Sequence, residues 1–290
     1  MGYAYFPTVL IHCWGGLGSQ LYAWSLSIQL QEKHPKRNFV LVLHNSGVTR
    51  RHSELFDLVD KSEIIEVNDF ESIIERSPDS LRKFRVTGSA SRIILFIADF
   101  LGVTLSPDRK SQIPRVFPWT KSIRGHYSHL VVTSKVIKEL LSNPTFGHQD
   151  SKQLAPVIGL HYRLGDLLTL NNKSPMPGER LAKSVLQISH SAQIKDIDLY
   201  SDSPLQARQR LVLLEKELTL RDKDVSIWDT IKFLSQSSVF VGTHSKISLW
   251  VCILRSECNK QGTVFVPVEM KKDIFRNLID PDTRASFNFY

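Results

Sequence analysis

Cysteine is scarce in this 290-residue sequence, and its three cysteines show no pairing pattern. Cys13, Cys252 and Cys258 lack a CxxC spacing, which argues against a disulfide framework and against a cysteine-based zinc site. The ten histidines are scattered and form neither an HExxH nor an HxxxH pattern. The acidic run at 222–224 has charged flanks and is interpreted as a solvated loop. The sequence therefore predicts no metal ion and no bound cofactor.

Long hydrophobic runs are also missing. The longest, at 93–105, is interrupted by Asp99 and is shorter than the roughly 20 residues that span a bilayer. We interpret it as a buried helix. The first six residues, Met-Gly-Tyr-Ala-Tyr-Phe, lack the charged region that opens a signal peptide. These absences favour a cytoplasmic protein.

Acidic residues are too few to balance the basic ones, and the net charge is +8. The excess is even, with 18 Lys and Arg against 14 Asp and Glu up to Asp150, and 19 against 15 afterwards. Such an even spread is weaker evidence for a nucleic-acid groove than a concentrated patch, and it equally suits phosphate-bearing substrates or an anionic membrane surface. One stretch, 109–138, holds seven basic residues and no acidic one. It is either a solvated basic face or a surface for anionic lipid or a phosphorylated acceptor.

The sequence does contain a repeated alternation of short apolar strands and helices. In the first half, a strand at 9–12 leads through a glycine turn at 15–18 into a helix at 20–32. Further elements follow, namely strands at 39–43 and 64–67 and helices at 70–76 and 136–141. A polar segment with Gly and Pro at 142–156 predicts a domain boundary, which gives domains 1–150 and 151–290.

The second half alternates more clearly. Its predicted strands are 157–161, 197–201, 225–228, 238–242 and 263–266, and its predicted helices are 179–189, 205–217, 230–236, 246–255 and 271–279. This order predicts an α/β fold with a parallel sheet that is covered by helices on both faces. Ligands bind beyond the carboxyl ends of the strands in such sheets, so the residues at those ends are the candidate site.

The first strand of the second half ends in the segment 161–166, His-Tyr-Arg-Leu-Gly-Asp. The Arg163 guanidinium can bind a phosphate through a planar set of donors. Asp166 either braces Arg163 through an ion pair or accepts a proton. For His161, a packing role and contact with a nucleotide base are equally compatible with the sequence.

Polar residues also follow the second and fourth strands. Asp202 either accepts hydrogen bonds from a nucleoside or caps the next helix. Thr243, Ser245 and Ser248 surround a helix N-terminus that suits a pyrophosphate, with N-capping by Ser245 as the alternative. The glycine turn at 15–18 could offer backbone N–H groups to an anionic or sugar ligand. The alternative is that the turn is purely structural.

These segments resemble the motifs of the α-1,2-fucosyltransferase family, within a superfamily that includes the α-1,6- and protein O-fucosyltransferases. The run 15–21, GGLGSQL, resembles an amino-terminal GGLGNQ motif, and 161–166 resembles an HxRxGD motif. Residues 200–202, YSD, resemble an FSD element, and 233–250 resembles a carboxyl-terminal segment that ends in SxxSxW. The ordered set spans nearly the whole chain and is more specific than any single motif.

The resemblance implies a GT-B-type fold of two Rossmann-like halves, an acceptor-side domain and a nucleotide-sugar-binding domain. It implies that fucose moves from GDP-fucose to a glycan hydroxyl, with inversion and without a metal. An α-1,2 linkage in surface-polysaccharide synthesis would follow. The expected partners are the nucleotide sugar and a glycan or lipid-linked glycan acceptor, with peripheral contact to an anionic membrane and no nucleic acid.

The resemblance also assigns roles to single residues, and on this interpretation Arg163 would stabilise the departing GDP. An inverting transfer needs a base near the acceptor hydroxyl, for which Asp166 is the first choice, ahead of Asp99 and Glu179. Apart from Arg163, the predicted donor-binding residues are Gly16, Gly18, Ser19, Gln20, His161, Asp202, Asp229, Thr243, His244, Ser245 and Lys246.

The chain departs from the family pattern at three positions. Ser19 replaces an asparagine, Thr230 stands where an aspartate is usual, and Lys246 replaces a serine, while Asp229 lies one residue from the aspartate position. These departures keep two alternatives open. One is a transferase for a different nucleotide sugar, and the other is a catalytically silent sugar-binding protein of the same fold.

Overall fold

The chain folds as two α/β units. The computed structural model describes residues 8–44, 54–56, 58–59, 63–67, 97–105, 113–146, 156–168, 174–258, 262–277 and 285–290, without the side chains of Thr145 and Asp166. Unit 1 comprises Met1–Leu140 and unit 2 comprises Leu141–Tyr290. The predicted boundary at residue 150 lies outside the described residues.

Unit 1 is built on a parallel sheet. Its described elements are β1 (Val9–Trp14), α1 (Leu17–Lys33), β2 (Phe39–His44), β3 (Ile64–Val67), β4 (Thr104–Leu105), β5 (Ser122–Arg124) and α2 (Ser134–Ser142), within which the division between the units falls. The strand order is β3-β2-β1-β5-β4, with parallel pairing throughout the described strands. The order reverses between β1 and β5, so the topological switch point lies there.

Unit 2 has the larger described sheet. Its strands are β6 (Ile158–His161), β7 (Asp196–Tyr200), β8 (Thr219–Asp222), β9 (Val239–Gly242), β10 (Thr263–Val266) and β11 (Phe287–Phe289). Its helices are α3 (Gly178–Ala192), α4 (Pro204–Arg210), α5 (Ile227–Gln236), α6 (Lys246–Cys258) and α7 (Lys271–Asn277). The order β11-β10-β9-β6-β7-β8 is that of a dinucleotide-binding sheet. Its switch point lies between β6 and β9.

Burial explains why these segments form these elements. All four residues of β6 are buried, as expected for a central parallel strand that has helices on both faces. On α3 the buried residues Leu181, Val185 and Ile188 recur at helical spacing and pack into the core of unit 2. The predicted α/β class, with a parallel sheet in each of two halves, is confirmed.

The structure corrects one strand of unit 2. The apolar residues at 225–228 do not form the predicted strand, because Ser226 caps α5 and its Oγ accepts the Asp229 N–H at 3.0 Å. The third strand in sequence is instead β8, whose charged, exposed residues gave no apolar signal because it lies at the sheet edge. The helix predicted at 205–217 is also shorter, since α4 ends at Arg210 and a 3₁₀ turn follows at Leu214–Lys216.

The structure also corrects the apolar segment at 93–105, of which residues 93–96 lie outside the description. Its described part is not a buried helix: Ile97, Leu101 and above all Phe100, which is 82% exposed, face solvent, and β4 follows. The helix predicted at 70–76 lies outside the described residues. In the part of the chain that the structure describes, no helix is long and apolar enough to cross a membrane.

Arg255 on α6 holds the helix–strand junction of unit 2 together. Its side chain is 1% exposed, and its guanidinium donates to the carbonyl oxygens of Leu234 and Ser237 at 2.9 and 2.7 Å. These carbonyls end α5, where the last turn of a helix lacks internal partners. Burial lowers the pKa of Arg255 to about 10, so the side chain stays charged at neutral pH.

We expect Arg255→Met to lower the free energy of unfolding by about 3 kcal/mol or more, because the buried carbonyls at the end of α5 would lose their donors. Urea unfolding followed by circular dichroism measures this change. Arg221→Met is the matched control, since Arg221 lies on the edge strand β8, is half-exposed and pairs with Asp196 of β7. Equal losses in the two variants would contradict the anchoring role of Arg255.

Candidate functional site

The carboxyl ends of β6 and β9 carry a hydrogen-bonded group of polar side chains. His161, the last residue of β6, is 6% exposed, and its Nδ1 lies 2.8 Å from the Ser248 Oγ and 3.4 Å from the Ser245 Oγ. The two hydroxyls are 3.1 Å apart. Both serines belong to the start of α6, so the histidine joins the end of the central strand to the helix that follows β9.

The charge state of His161 follows from its burial. Burial lowers the pKa of His161 to about 4, and the smaller influences of Asp202 and Arg163 oppose each other, the first raising the pKa and the second lowering it. The imidazole is therefore neutral at neutral pH. It contributes a hydrogen-bonding ring to this site and no positive charge.

Thr243 connects the loops after β6 and β9. Its backbone N–H and its Oγ1 both donate to the His161 carbonyl oxygen, at 3.1 and 3.2 Å. The same Oγ1 accepts the backbone N–H of Arg163 at 3.0 Å. The backbone of Arg163 is thus held beside the switch point. Its side chain is half-buried.

Asp202 braces the loop that follows Arg163. Its Oδ1 accepts the N–H groups of Leu164 and Gly165 at 2.8 and 3.0 Å. Gly165 has a φ of +20°, and a Cβ there would lie 2.2 Å from the Asp202 Oδ2, so only glycine fits. The capping alternative for Asp202 is wrong, since Ser203 is the N-cap of α4 and makes no side-chain cap bond.

Ser245 does cap its helix. The Ser245 Oγ accepts the Ser248 N–H at 2.9 Å, which is an N-cap bond at the start of α6. Two neighbouring residues that are predicted to bind the donor differ in exposure: His244 is exposed, and Lys246 is half-buried.

Asp229 has a local partner of its own. The Ser226 hydroxyl donates to the Asp229 Oδ2 at 2.7 Å, and the Asp229 backbone N–H donates to the Ser226 Oγ. The two residues form a reciprocal cap at the start of α5, and no described hydrogen bond joins Asp229 to the His161 group. A carboxylate in the first turn also suits the helix dipole.

The candidate bases are placed unequally. The side chain of Asp166 lies outside the described residues, so its predicted role stays a prediction. Glu179 is exposed and pairs with Lys183 at 2.7 Å, and this hydrogen bond lowers the pKa of Glu179. Asp99 is exposed in unit 1. Among the described residues, no three His, Cys, Asp or Glu side chains are grouped closely enough to bind a metal ion.

The glycine turn of unit 1 is braced by a residue that the sequence did not point to. Glu54 Oε2 accepts the N–H of Leu17, the first residue of α1, at 2.7 Å, and the Glu54 N–H donates to the Gln20 Oε1 at 3.0 Å. Gly15 has a φ of +105°, which favours glycine. The Leu17 N–H therefore has a carboxylate partner from the protein. No periodic pattern surrounds Glu54, so the sequence carried no signal for this contact.

The Gly16 carbonyl at the same turn accepts the N–H groups of Ser19 and Gln20, at 2.8 and 3.2 Å. The Gln20 amide also donates to the Gly15 carbonyl at 3.2 Å. These bonds account for the sharp turn from β1 into α1. Donor contact by Gly16, Gly18, Ser19 and Gln20 stays a prediction.

A second contact missed by the sequence lies in unit 2. The Tyr290 hydroxyl donates to the Gly242 carbonyl at 3.0 Å, directly before Thr243. Burial raises the pKa of Tyr290. β11 was not predicted, because its Phe-Asn-Phe run is too short to show a period, and the tyrosine that follows it could not be placed.

Neither a protein-family model nor a curated protein sequence matches this chain. Several solved structures have a similar trace. One is a protein from Listeria monocytogenes that is provisionally described as a UDP-N-acetylglucosamine 2-epimerase. It is 11% identical with a TM-score of 0.46, and the match covers 92% of this chain and 82% of the epimerase chain. POFUT1 in complex with GDP is 10% identical with a TM-score of 0.41, over 89% and 97%.

The E. coli heptosyltransferase WaaC, solved with ADP-2-deoxy-2-fluoro heptose, is 10% identical with a TM-score of 0.44, over 89% of this chain and 88% of its own. These neighbours include glycosyltransferases. With so little identity and such TM-scores, what this chain does has to be argued from its own residues.

The neutral state of His161 makes folding sensitive to acid. Its pKa is about 4 in the folded chain and 6.5 as a free side chain, so the unfolded chain binds more protons between these values. Stability is full above pH 6.5 and is lost as the pH falls towards 4, by about 3 kcal/mol for this residue.

Urea unfolding at pH 7 and at pH 4.5 measures this loss. We expect His161→Asn to be less stable than the wild type at pH 7 but to lose less on acidification, since the asparagine does not titrate. His190→Asn is the control, because His190 is exposed. An unchanged pH dependence in His161→Asn would contradict the assignment.

Proposed function

We propose that this chain is a nucleotide-sugar glycosyltransferase, and specifically a metal-independent, inverting fucosyltransferase that uses GDP-fucose. The observation that carries the proposal is the polar group at the switch point of unit 2, where His161, Thr243 and Ser245 meet at the ends of β6 and β9. In a sheet with this strand order, a nucleotide binds at that crevice. The motif resemblance supplies the sugar and its nucleotide.

Arg163 is the proposed diphosphate ligand. Its backbone is held by Thr243, and the next two N–H groups are held by Asp202, so the loop is ordered before a ligand arrives. The guanidinium of Arg163 and the N-terminus of α6 would together offset the charge that develops on the departing GDP. An ordered loop lowers the free-energy cost of placing that charge.

The transfer itself is proposed as a single displacement. The acceptor hydroxyl oxygen bonds to the anomeric carbon of fucose while the bond to the GDP oxygen breaks, and GDP leaves with the electron pair. The hydroxyl proton passes to a base, for which Asp166 is the proposed residue. His161 is neutral at the working pH and orients the serine hydroxyls at the site without adding charge.

The acceptor and the setting are proposed from the resemblance. We propose a glycan or lipid-linked glycan acceptor, an α-1,2 linkage and a role in surface-polysaccharide synthesis. The basic stretch at 109–138 is compatible with peripheral contact to an anionic membrane. A cytoplasmic location belongs to the same proposal.

We expect Arg163→Ala to weaken GDP-fucose binding about tenfold or more and to lower kcat about 100-fold, because a charged donor to the diphosphate is lost. Calorimetry with GDP-fucose and a coupled assay of GDP release measure both quantities. Arg221→Ala is the control, since β8 lies two strands from β6 at the edge of the sheet. Unchanged affinity in Arg163→Ala would remove Arg163 from the site.

A panel of GDP- and UDP-sugars tests the donor. Turnover of GDP-fucose alone supports the fucosyltransferase. Turnover of another nucleotide sugar in its place favours the alternative to which the departures at Ser19, Thr230 and Lys246 point. GDP affinity without turnover of any donor favours a catalytically silent sugar-binding protein.

A further inference from the structure

The carboxyl ends of β1, β2 and β5 in unit 1 carry four polar or aromatic side chains that the donor proposal does not use. His12 and Trp14 lie two residues apart on β1 and so share a face of the sheet. In the parallel register His12 is the partner of Arg124 on β5, and Trp14 is the partner of His44 on β2. The four side chains therefore come together at the switch point of unit 1.

The rings of this group form a stack. Trp14 and His44 have ring centroids 4.4 Å apart and planes within 14° of parallel, and His12 and His44 have centroids 5.2 Å apart. The His12 Nδ1 and the His44 Nε2 are joined by a hydrogen bond of 2.9 Å. The Tyr127 hydroxyl donates to the His12 carbonyl at 2.6 Å and fixes the end of the strand.

Arg124 lies beside this stack without a counter-charge. Its Nε is buried and has no hydrogen-bond acceptor, and no carboxylate in the described part of the chain forms an ion pair with it. A partly buried cation without a partner costs folding free energy. Burial lowers the pKa of His12 to about 3, with smaller contributions from the charges of Arg124 and His44. His12 is therefore uncharged at neutral pH and does not alter the charge of this group.

Trp14 supplies a second group without a partner. Its side chain is 5% exposed, and its Nε1–H meets no acceptor among the residues that the structure describes. A buried indole N–H normally has an acceptor. The Arg124 Nε–H and the Trp14 Nε1–H both lack acceptors at the switch point of a parallel sheet, and an oxygen-rich anion would satisfy them.

We infer that the carboxyl ends of β1, β2 and β5 form a binding site for the phosphate or carboxylate group of a ligand, held by the Arg124 guanidinium, with Trp14 and the His12–His44 pair around it. Its four residues all belong to unit 1, whereas Arg163 and the His161 group belong to unit 2. The test uses small anions, so it does not depend on the identity of the donor.

Nuclear magnetic resonance of the ¹⁵N-labelled full chain tests the inference, with the Trp14 indole N–H as the reporter and Trp14→Phe to assign its signal. We expect inorganic phosphate, sodium glucuronate or both to shift this signal to saturation. A shift with phosphate alone identifies a phosphate site, and a shift with glucuronate alone identifies a carboxylate site. If neither probe moves the Trp14 signal, the inference is wrong.

The Arg124→Gln variant tests the role of the cation, and we expect the apparent Kd to rise about tenfold or more. Lys121→Gln removes the same charge from an exposed neighbour and should leave the Kd unchanged. Unshifted signals of the other four indoles show that the variant is folded. An unchanged Kd in Arg124→Gln would overturn the inference.

Arg163→Ala separates this site from the donor site. We expect the variant to retain the Trp14 response to the small anions while losing affinity for GDP-fucose. Failure of the donor proposal would leave the Trp14 response intact. A Trp14 response that disappears in Arg163→Ala would instead show that the anion is bound through Arg163, and it would overturn the assignment to unit 1.

Discussion

Parallel pairing is the constraint on which the rest of this protein depends. In both described sheets every strand runs in the same direction as its neighbours, so each chain segment must cross back through a helix or loop before the next strand begins. Central strands such as β6 are then buried along their whole length. At the switch points, polar side chains follow the ends of these buried strands.

The polar groups at the two switch points differ in whether they have hydrogen-bond partners within the protein. In unit 2, the His161 ring and carbonyl, the Thr243 hydroxyl and the two serines of α6 satisfy one another. A ligand there would meet an ordered surface with Arg163 beside it. In unit 1, the Arg124 Nε–H and the Trp14 Nε1–H have no acceptor among the described residues. The first arrangement is ready to position a ligand, and the second is incomplete without one.

Glycine is required at two of these turns because of the local backbone conformation and the space available for a side chain. Gly15 and Gly165 have positive φ values, and a Cβ at Gly165 would collide with the Asp202 carboxylate that holds the loop. The glycine of the HxRxGD-like segment is thus explained by its contact with the Asp of the YSD segment. Two motifs that are separate in the sequence form one structural unit.

The sequence by itself determined the fold class, most elements of unit 2, and the strand ends at which Arg163 and Thr243 lie. Apolar strands and helical spacing depend on near neighbours in the chain, and those are readable without a structure. Only the tertiary structure decided that Asp202 braces a loop and that Glu54 closes the glycine turn, because each carboxylate accepts backbone N–H groups that are distant in the sequence. It also showed that the Asp229 carboxylate bonds to Ser226, the N-cap of α5. The same holds for β8 and for the Arg124 site, because edge exposure and strand register appear only once the sheets have formed.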